Sequence, residues 1–261
     1  MTQTIDSPLE QGPQSLPPKG VGNLNVLPGN SQGDIVDQMK DVRASYVKAM
    51  GWFEDIRDDT DRYDGNDRTT YYAINDFETG ALMSSMRLTS VPSVRESLTW
   101  SMLENSEQMM SDALAHTATD DDEVTGSIDK LDVAARAGNL YDLTRFVAPI
   151  DGSIDPGEVV KGFVEMIGAG LATTTPRSDF EQFEQLKWFF ATHKPIVQLL
   201  NGLGIESTVI SKGYANEGDK AKTYLCSISP INALRYVNAD PEKYSFTIEH
   251  VTDGLRKANA L

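Results

Sequence analysis

The feature that most constrains this chain is a pair of strand-like runs with almost nothing between them. TTYYAIND (69–76) and ALMSSMRLTSV (81–91) are rich in β-branched, aromatic and apolar residues, and only Phe77-Glu78-Thr79-Gly80 separates them. Parallel strands need a crossover of a dozen or more residues, so a link this short dictates an antiparallel β-hairpin. Pro92 ends the second strand, because proline has no amide to give to a ladder. Downstream the pattern turns into an alternation. NLYDLTRFVAP (139–149) reads as a buried strand, and Asp155-Pro156 as a cap with proline at the first position of a helix through Ile167. QLKWFFAT (185–192) reads as a strand, KPIVQLLNGLG (194–204) as a helix closed by glycine, and IESTVISKG (205–213) and KTYLCSIS (222–229) as further strands before two C-terminal helices. A hairpin feeding such an alternation implies an α/β fold with a mixed sheet flanked by helices, rather than a purely parallel doubly wound one.

Ahead of the hairpin, Asp34 stands where it can cap a helix whose apolar positions Ile35, Met39, Val42, Tyr46, Val47 and Met50 recur on one face up to Gly51. Residues 1–33, dense in Pro, Gly, Gln, Ser and Asn, read as a disordered leader, leaving 34–261 as a single domain. The stretch 52–68 reads as a charged surface loop, and 97–115 as a helix followed by a solvated acidic turn.

Composition then removes whole classes of function. No segment approaches the roughly 18 to 20 apolar residues of a membrane span, and the N-terminus lacks the order of a signal peptide, so a cytoplasmic protein with no membrane partner is expected. One cysteine, Cys226, permits no internal disulfide, and His116, His193 and His250 are too scattered in sequence to suggest a metal site by spacing. A net charge of −16 repels polyphosphate, so nucleic acid is excluded as a partner and small-molecule substrates are favoured.

Three clusters place charge where strands meet loops: Gly51-Trp52 followed by Asp61-Arg62-Tyr63-Asp64; Arg87 inside an apolar strand; and Asp142-Leu143-Thr144-Arg145-Phe146. Charges in a buried strand are costly unless paired, so each joins an internal ion pair or faces a ligand. Strand alternation sets Asp142 and Thr144 on one face and Arg145 on the other unless a bulge or splay intervenes.

Taken in order, GW, DRYD, the YY strand, MRL and YDLTRF resemble the acyl-homoserine-lactone synthases, autoinducer synthases related to the GNAT acyltransferases. Trp52, Asp61, Asp64, Arg87, Arg145 and Phe146 stand at the matching places, and WFFATHKPIVQLLNGLG resembles that family's strand, threonine and helix segment. The similarity runs from about residue 38 to 213. It departs at Asp142, where the family has glutamate, at Ser84, which replaces a glycine, and at Arg43, one residue out of register with the family's helical arginine.

The resemblance implies a GNAT-like three-layer α-β-α sandwich with a splayed central sheet. It implies transfer of an acyl chain from a thioester, carried by acyl-carrier protein or coenzyme A, to the amine of S-adenosylmethionine. Lactone closure then expels methylthioadenosine and yields an acyl-homoserine lactone, a quorum-sensing signal, with no tightly bound cofactor and no metal. Asp142 and Arg145 would be catalytic, Asp142 as base. Asp61 and Asp64 would hold the substrate's positive groups, Arg87 or Arg145 its carboxylate, Trp52 would wall the adenosyl site with Tyr46 or Phe53 beside it, and Phe146 would be a further substrate-binding residue. Trp188, Phe190, Thr192 and the 155–171 helix would line the acyl tunnel. Two alternatives stay open: a GNAT-type N-acyltransferase acting on another amine or amino acid, and a noncatalytic acyl-CoA-binding relative.

Overall fold

The computed structural model describes residues 22–50, 61–104, 126, 128–175, 184–213 and 221–260. In chain order the elements are β1 (Asn23–Pro28), α1 (Asp34–Met50), β2 (Thr69–Asn75), β3 (Leu82–Ser90), α2 (Leu98–Glu104), α3 (Ile128–Arg136), β4 (Leu140–Val147), α4 (Pro156–Thr174), β5 (Lys187–His193), α5 (Lys194–Gly202), β6 (Ser207–Val209), β7 (Thr223–Ile228), α6 (Pro230–Ala239) and α7 (Ser245–Asn259). One seven-stranded sheet runs β1-β2-β3-β4-β5-β7-β6. Only β4 and β5 run parallel; every other neighbouring pair is antiparallel. This is the mixed sheet the hairpin and the alternation implied.

Two elements depart from the sequence expectation. The leader was taken to run to residue 33, yet Asn23–Pro28 pairs with β2 from Asn23↔Asn75 to Pro28↔Thr70. An edge strand needs few apolar residues of its own when its partner supplies the hydrogen bonds, and Leu24 alone of its side chains is buried. Helix α3 was not expected; Leu131, Ala134 and Ala135 bury one narrow face of it.

Strand alternation sorts the core into two layers. On one face Tyr72, Ile74, Met86, Leu88 and Trp188 meet α4 and α7 through Val164, Ile167 and Val251. On the other, Tyr71 and Ala73 meet Met39 of α1, while Leu140, Phe189 and Leu225 meet Trp100 and Leu131 of α2 and α3. Helices therefore cover both faces of the sheet.

Helices α4 and α7 lie close because glycine removes the side chain at the crossing. A Cβ on Gly168 would stand 2.2 Å from the Val251 carbonyl oxygen, and one on Gly254 would stand 1.9 Å from that of Glu165. Both obstacles are backbone and cannot swing aside. Gly254→Ala should therefore force the helices apart and cost about 1–3 kcal/mol, read as a lowered Tm in a thermal melt. An unchanged Tm would mean the seam is looser than these distances.

Two irregularities in the middle of the sheet create the space for a site. The parallel pairing of β4 with β5 covers only Leu140↔Lys187, Tyr141↔Trp188 and Asp142↔Phe189. Beyond that point β4 stays with β3 as far as Val147 and β5 stays with β7 as far as His193, so the two central strands diverge. In addition, β4 carries a bulge. Arg87 faces Thr144 and Ser85 faces Val147, so three steps along β4 match two along β3.

Candidate active site

The bulge decides where Arg145 points. Its φ is +54°, the only positive value among the described non-glycine residues, and that turn overrides simple alternation. Its guanidinium thereby joins Arg87 on the face of Thr144. A bulge in the strand is one of the two circumstances, with a splay, in which the sequence allows that outcome.

Around these arginines the loop Asp61–Asp64 closes a charged network. Arg87 donates to Asp61 through both nitrogens of its fork, Nη1 to Oδ1 at 3.0 Å and Nη2 to Oδ2 at 2.7 Å, and its Nε donates to Thr144 Oγ1 at 2.9 Å. Its Nη1 also reaches Asp64 Oδ1 at 3.2 Å. Arg145 Nη2 donates to Asp64 Oδ2 at 2.9 Å and lies 3.4 Å from Asp61 Oδ2. The Tyr71 hydroxyl donates to Asp64 Oδ1, and the Asp61 and Tyr63 amides donate to Asp64 and Asp61. Burial alone would raise the Asp61 pKa, but the Arg87 and Arg145 charges and the Tyr63 amide outweigh it and hold the carboxyl below its usual value. Burial and the Asp64 carboxylate push the Tyr71 phenol up to about 12, which keeps it a donor at neutral pH.

This geometry gives the two aspartates a role beside the one expected of them. All four of their carboxylate oxygens accept hydrogen bonds from the protein, so they buttress Arg87 and Arg145. Arg87 is fully buried behind them. The fork of a buried arginine is satisfied most completely by carboxylates, which accounts for the pairing.

Where β4 and β5 part, a cavity of about 690 Å³ opens, within the range of small-molecule sites. Its walls are mostly apolar. Phe146, Phe163, Ile167, Phe190, Leu199 and Leu200 contribute, with Phe146 stacked on Phe163 at 3.8 Å between ring centroids. Thr144, Thr192 and Thr99 are among its polar lining residues, and Arg43 and Arg145 bring positive charge. Helix α4 lines it through Pro156, Val159, Val160, Phe163 and Ile167, as expected.

Arg43 is the residue that sequence reading undervalued. It stands four residues beyond buried Met39 and four before buried Val47, in the middle of the inward stripe of α1. A charge at such a place is itself a signal. Burial, followed by the neighbouring Arg145 and Arg87, pulls its pKa down to about 10.

Other expected residues divide. Phe146, Phe190, Thr192 and Arg145 line the cavity. Trp188 does not: it lies where β4 and β5 are still paired, fully buried with its ring against Gly170 of α4. Trp52 lies outside the described residues.

Asp142 also sits one layer back from the cavity. Its Oδ2 accepts the amides of Leu98 at 2.6 Å and Thr99 at 3.2 Å, while Ser97 Oγ accepts the Trp100 amide at 2.9 Å. The orphan donors at the start of α2 are thus satisfied from two sides. Arg62 fastens the preceding turn by donating to the Glu96 and Ser97 carbonyls at 2.7 and 3.0 Å. Burial raises the Asp142 pKa, and the Thr99 hydroxyl and the two amides only partly oppose it.

An open, mostly antiparallel sheet with helices on both faces, split between its fourth and fifth strands over a ligand-sized cavity, is the GNAT-like fold. Solved structures share this fold. The chain is similar to BjaI, a CoA-dependent acyl-homoserine lactone synthase solved with MTA, at 13% identity, covering 92% of this chain and 99% of that one, TM-score 0.52. It is similar to the AHL synthase LasI at 12% identity over 79% and 90% of the two chains, TM-score 0.51. FeeM, an N-acyl amino acid synthase from uncultured soil microbes, shares the fold at 10% identity over 82% and 94%, TM-score 0.51. No protein-family model and no curated protein matches the sequence. Among the described residues no helix is long and apolar enough to cross a membrane.

Proposed function

We propose that this protein is an N-acyltransferase of the acyl-homoserine-lactone-synthase kind, moving an acyl chain from a thioester to the amine of a small amino acid, in the first instance S-adenosylmethionine. The observation that carries this reading is the divergence of β4 and β5 onto an apolar cavity with two arginines in its wall. The acyl chain lies among Phe146, Phe163, Ile167 and Leu200, with Phe190 and Thr192 beside it. Its thioester reaches the gap, where backbone amides released from strand pairing polarise the carbonyl as negative charge develops. Arg145 and Arg43 pair with the acceptor's carboxylate, held in place by Asp61, Asp64 and Arg87.

In the chemical step the acceptor ammonium gives one proton to the protein and on to solvent, and the free amine attacks the thioester carbon. The carbon–sulfur bond breaks as the amide forms, and the second proton lost from the nitrogen passes to the departing thiolate. Asp142 is reassigned from direct base to the far end of a relay through Thr99, which lines the cavity and donates its backbone amide to the carboxylate at 3.2 Å, and the raised pKa of Asp142 suits it to accept a proton. With S-adenosylmethionine, the carboxylate oxygen then attacks the γ-carbon and expels methylthioadenosine. The carrier of the thioester is acyl-carrier protein or coenzyme A.

A second reading keeps the transfer and changes the acceptor to another amino acid. It is favoured by one specific observation: the charges facing the cavity are arginines, which select a carboxylate, while both aspartates are engaged elsewhere.

Mass spectrometry after incubation with S-adenosylmethionine and a panel of acyl-CoA and acyl-carrier thioesters tests both. Methylthioadenosine and an acyl-homoserine lactone appearing together support the first reading. An N-acyl amino acid from a supplied amino-acid pool, without methylthioadenosine, supports the second. Absence of thiol release with every donor and acceptor rejects transferase activity and leaves a noncatalytic binder.

The relay makes a separate prediction. Asp142→Asn should lower kcat about 100-fold or more with little change in KM, and Thr99→Val should do the same. Because protonated Asp142 cannot accept, wild-type kcat should fall as pH drops through its raised pKa, and that acid limb should vanish in Asp142→Asn. A variant within a few-fold of wild type that keeps the limb would remove Asp142 from the proton path.

A further inference from the structure

We propose a divalent transition-metal site, of the kind that takes Zn²⁺, built from Glu165, His250 and Asp253 at the seam between α4 and α7. The site is independent of the acyl-transfer reading. Glu165 stands two residues from both Phe163 and Ile167 and so faces away from the cavity those residues line. Across the seam, His250 and Asp253 are one turn apart on the same face of α7.

All three residues are buried, Glu165 completely, His250 with 9% and Asp253 with 6% of its surface exposed. One donor atom from each lies within 4.8 Å of the others. His250 Nδ1 is buried, makes no hydrogen bond, and stands 3.9 Å from Glu165 Oε1. A ring nitrogen sealed from water and without a hydrogen bond has its lone pair open to a cation.

The charges at the seam point the same way. Glu165 and Asp253 bring two negative charges. Lys257 Nζ donates to Glu165 Oε2 at 2.7 Å and to the Gly22 carbonyl at 2.9 Å. The other contact, Arg256 Nη1 to Asp253 Oδ1 at 2.9 Å, comes from a side chain 69% exposed, where water screens it. Lys257 does not compete for the ion, since it holds Oε2 and so orients Oε1 toward His250, the way a supporting hydrogen bond sets a metal-binding carboxylate.

One imidazole and two carboxylates, with a fourth position for water, match the donor set of a zinc ion. Bonds of about 2.0–2.2 Å require donors roughly 3.3 Å apart, so small rotamer changes close the set on the ion. Bound there, the ion would join α7 to α4 directly behind the cavity wall.

The test uses full-length protein stripped with EDTA, dialysed, and titrated with ZnCl₂ by calorimetry, with a parallel thermal melt. The expected result is one zinc per chain and a Tm raised by about 5–10 °C at 100-fold excess over Kd. His250→Gln and Asp253→Asn should each weaken zinc binding by about 10-fold or more. His116→Ala and His193→Ala should leave it unchanged, and MgCl₂ should not raise the Tm. No saturable zinc binding overturns the proposal. So does binding that survives both α7 variants, or that is lost in His193→Ala or His116→Ala instead.

Discussion

Arg87→Ala should lower the Tm by roughly 10 °C, the largest stability effect expected of any single side chain in the polar centre. The variant removes a fully buried guanidinium that bonds Asp61 through both nitrogens and also contacts Asp64 and Thr144. Breaking a buried pair from one side costs about 3–5 kcal/mol, because the remaining carboxylate keeps its desolvation without its partner. In a chain of this size each kcal/mol moves Tm by about 2–4 °C. Arg87→Lys should recover only part of the loss, since an ammonium cannot reproduce the fork.

The same variant should change the response to acid. Asp61 has a folded pKa below its unfolded value, so its contribution is present above the ordinary aspartate range and is lost as pH falls through the folded pKa. Wild-type stability should therefore drop steeply below about pH 4, and that drop should be shallower in Arg87→Ala. A Tm shift under about 3 °C, with an unchanged acid slope, would show that Arg145 alone balances both aspartates.

How much of this was legible in the sequence depends on whether a residue's role is set by its neighbours in the chain or by strands distant from it. The hairpin, the Asp155-Pro156 helix start and the glycine-closed α5 are local, and each was read correctly because turn length and capping chemistry fix them. β1 was lost because its stability comes from β2, some 45 residues away, while its own composition resembles a leader. The site shows the same division. Order along the chain identified Asp61, Asp64, Arg87, Arg145 and Phe146 as a group, and the structure brings them together. Which of them faces the ligand was not legible, because that depends on the Arg145 bulge and on where β4 and β5 separate. Trp188 illustrates the point: it shares a strand face with Phe190 and Thr192 yet misses the cavity, because pairing with β4 still holds at Tyr141. Arg43 shows the reverse, a residue set aside on register that the buried stripe of α1 carries to the cavity wall.

The largest effect on turnover is expected at Arg145, and its backbone makes the experiment selective. Arg145→Ala should reduce kcat/KM by about 100- to 1,000-fold, the scale of losing a preorganised charged donor in a dry site. Alanine at φ +54° also keeps the left-handed conformation, which costs a non-glycine residue about 1 kcal/mol, and it loses the ion pair with Asp64 that offsets the strain. Arg145→Gly separates the two contributions. Glycine adopts that φ without penalty, so its Tm should recover toward wild type relative to Arg145→Ala while its turnover stays as low. If the two variants matched in stability, the bulge would be imposed by the β3 pairing rather than held by the guanidinium. If Arg145→Gly regained turnover, the charge at the cavity wall would have no part in the reaction, and Arg43 alone would have to meet the acceptor's carboxylate.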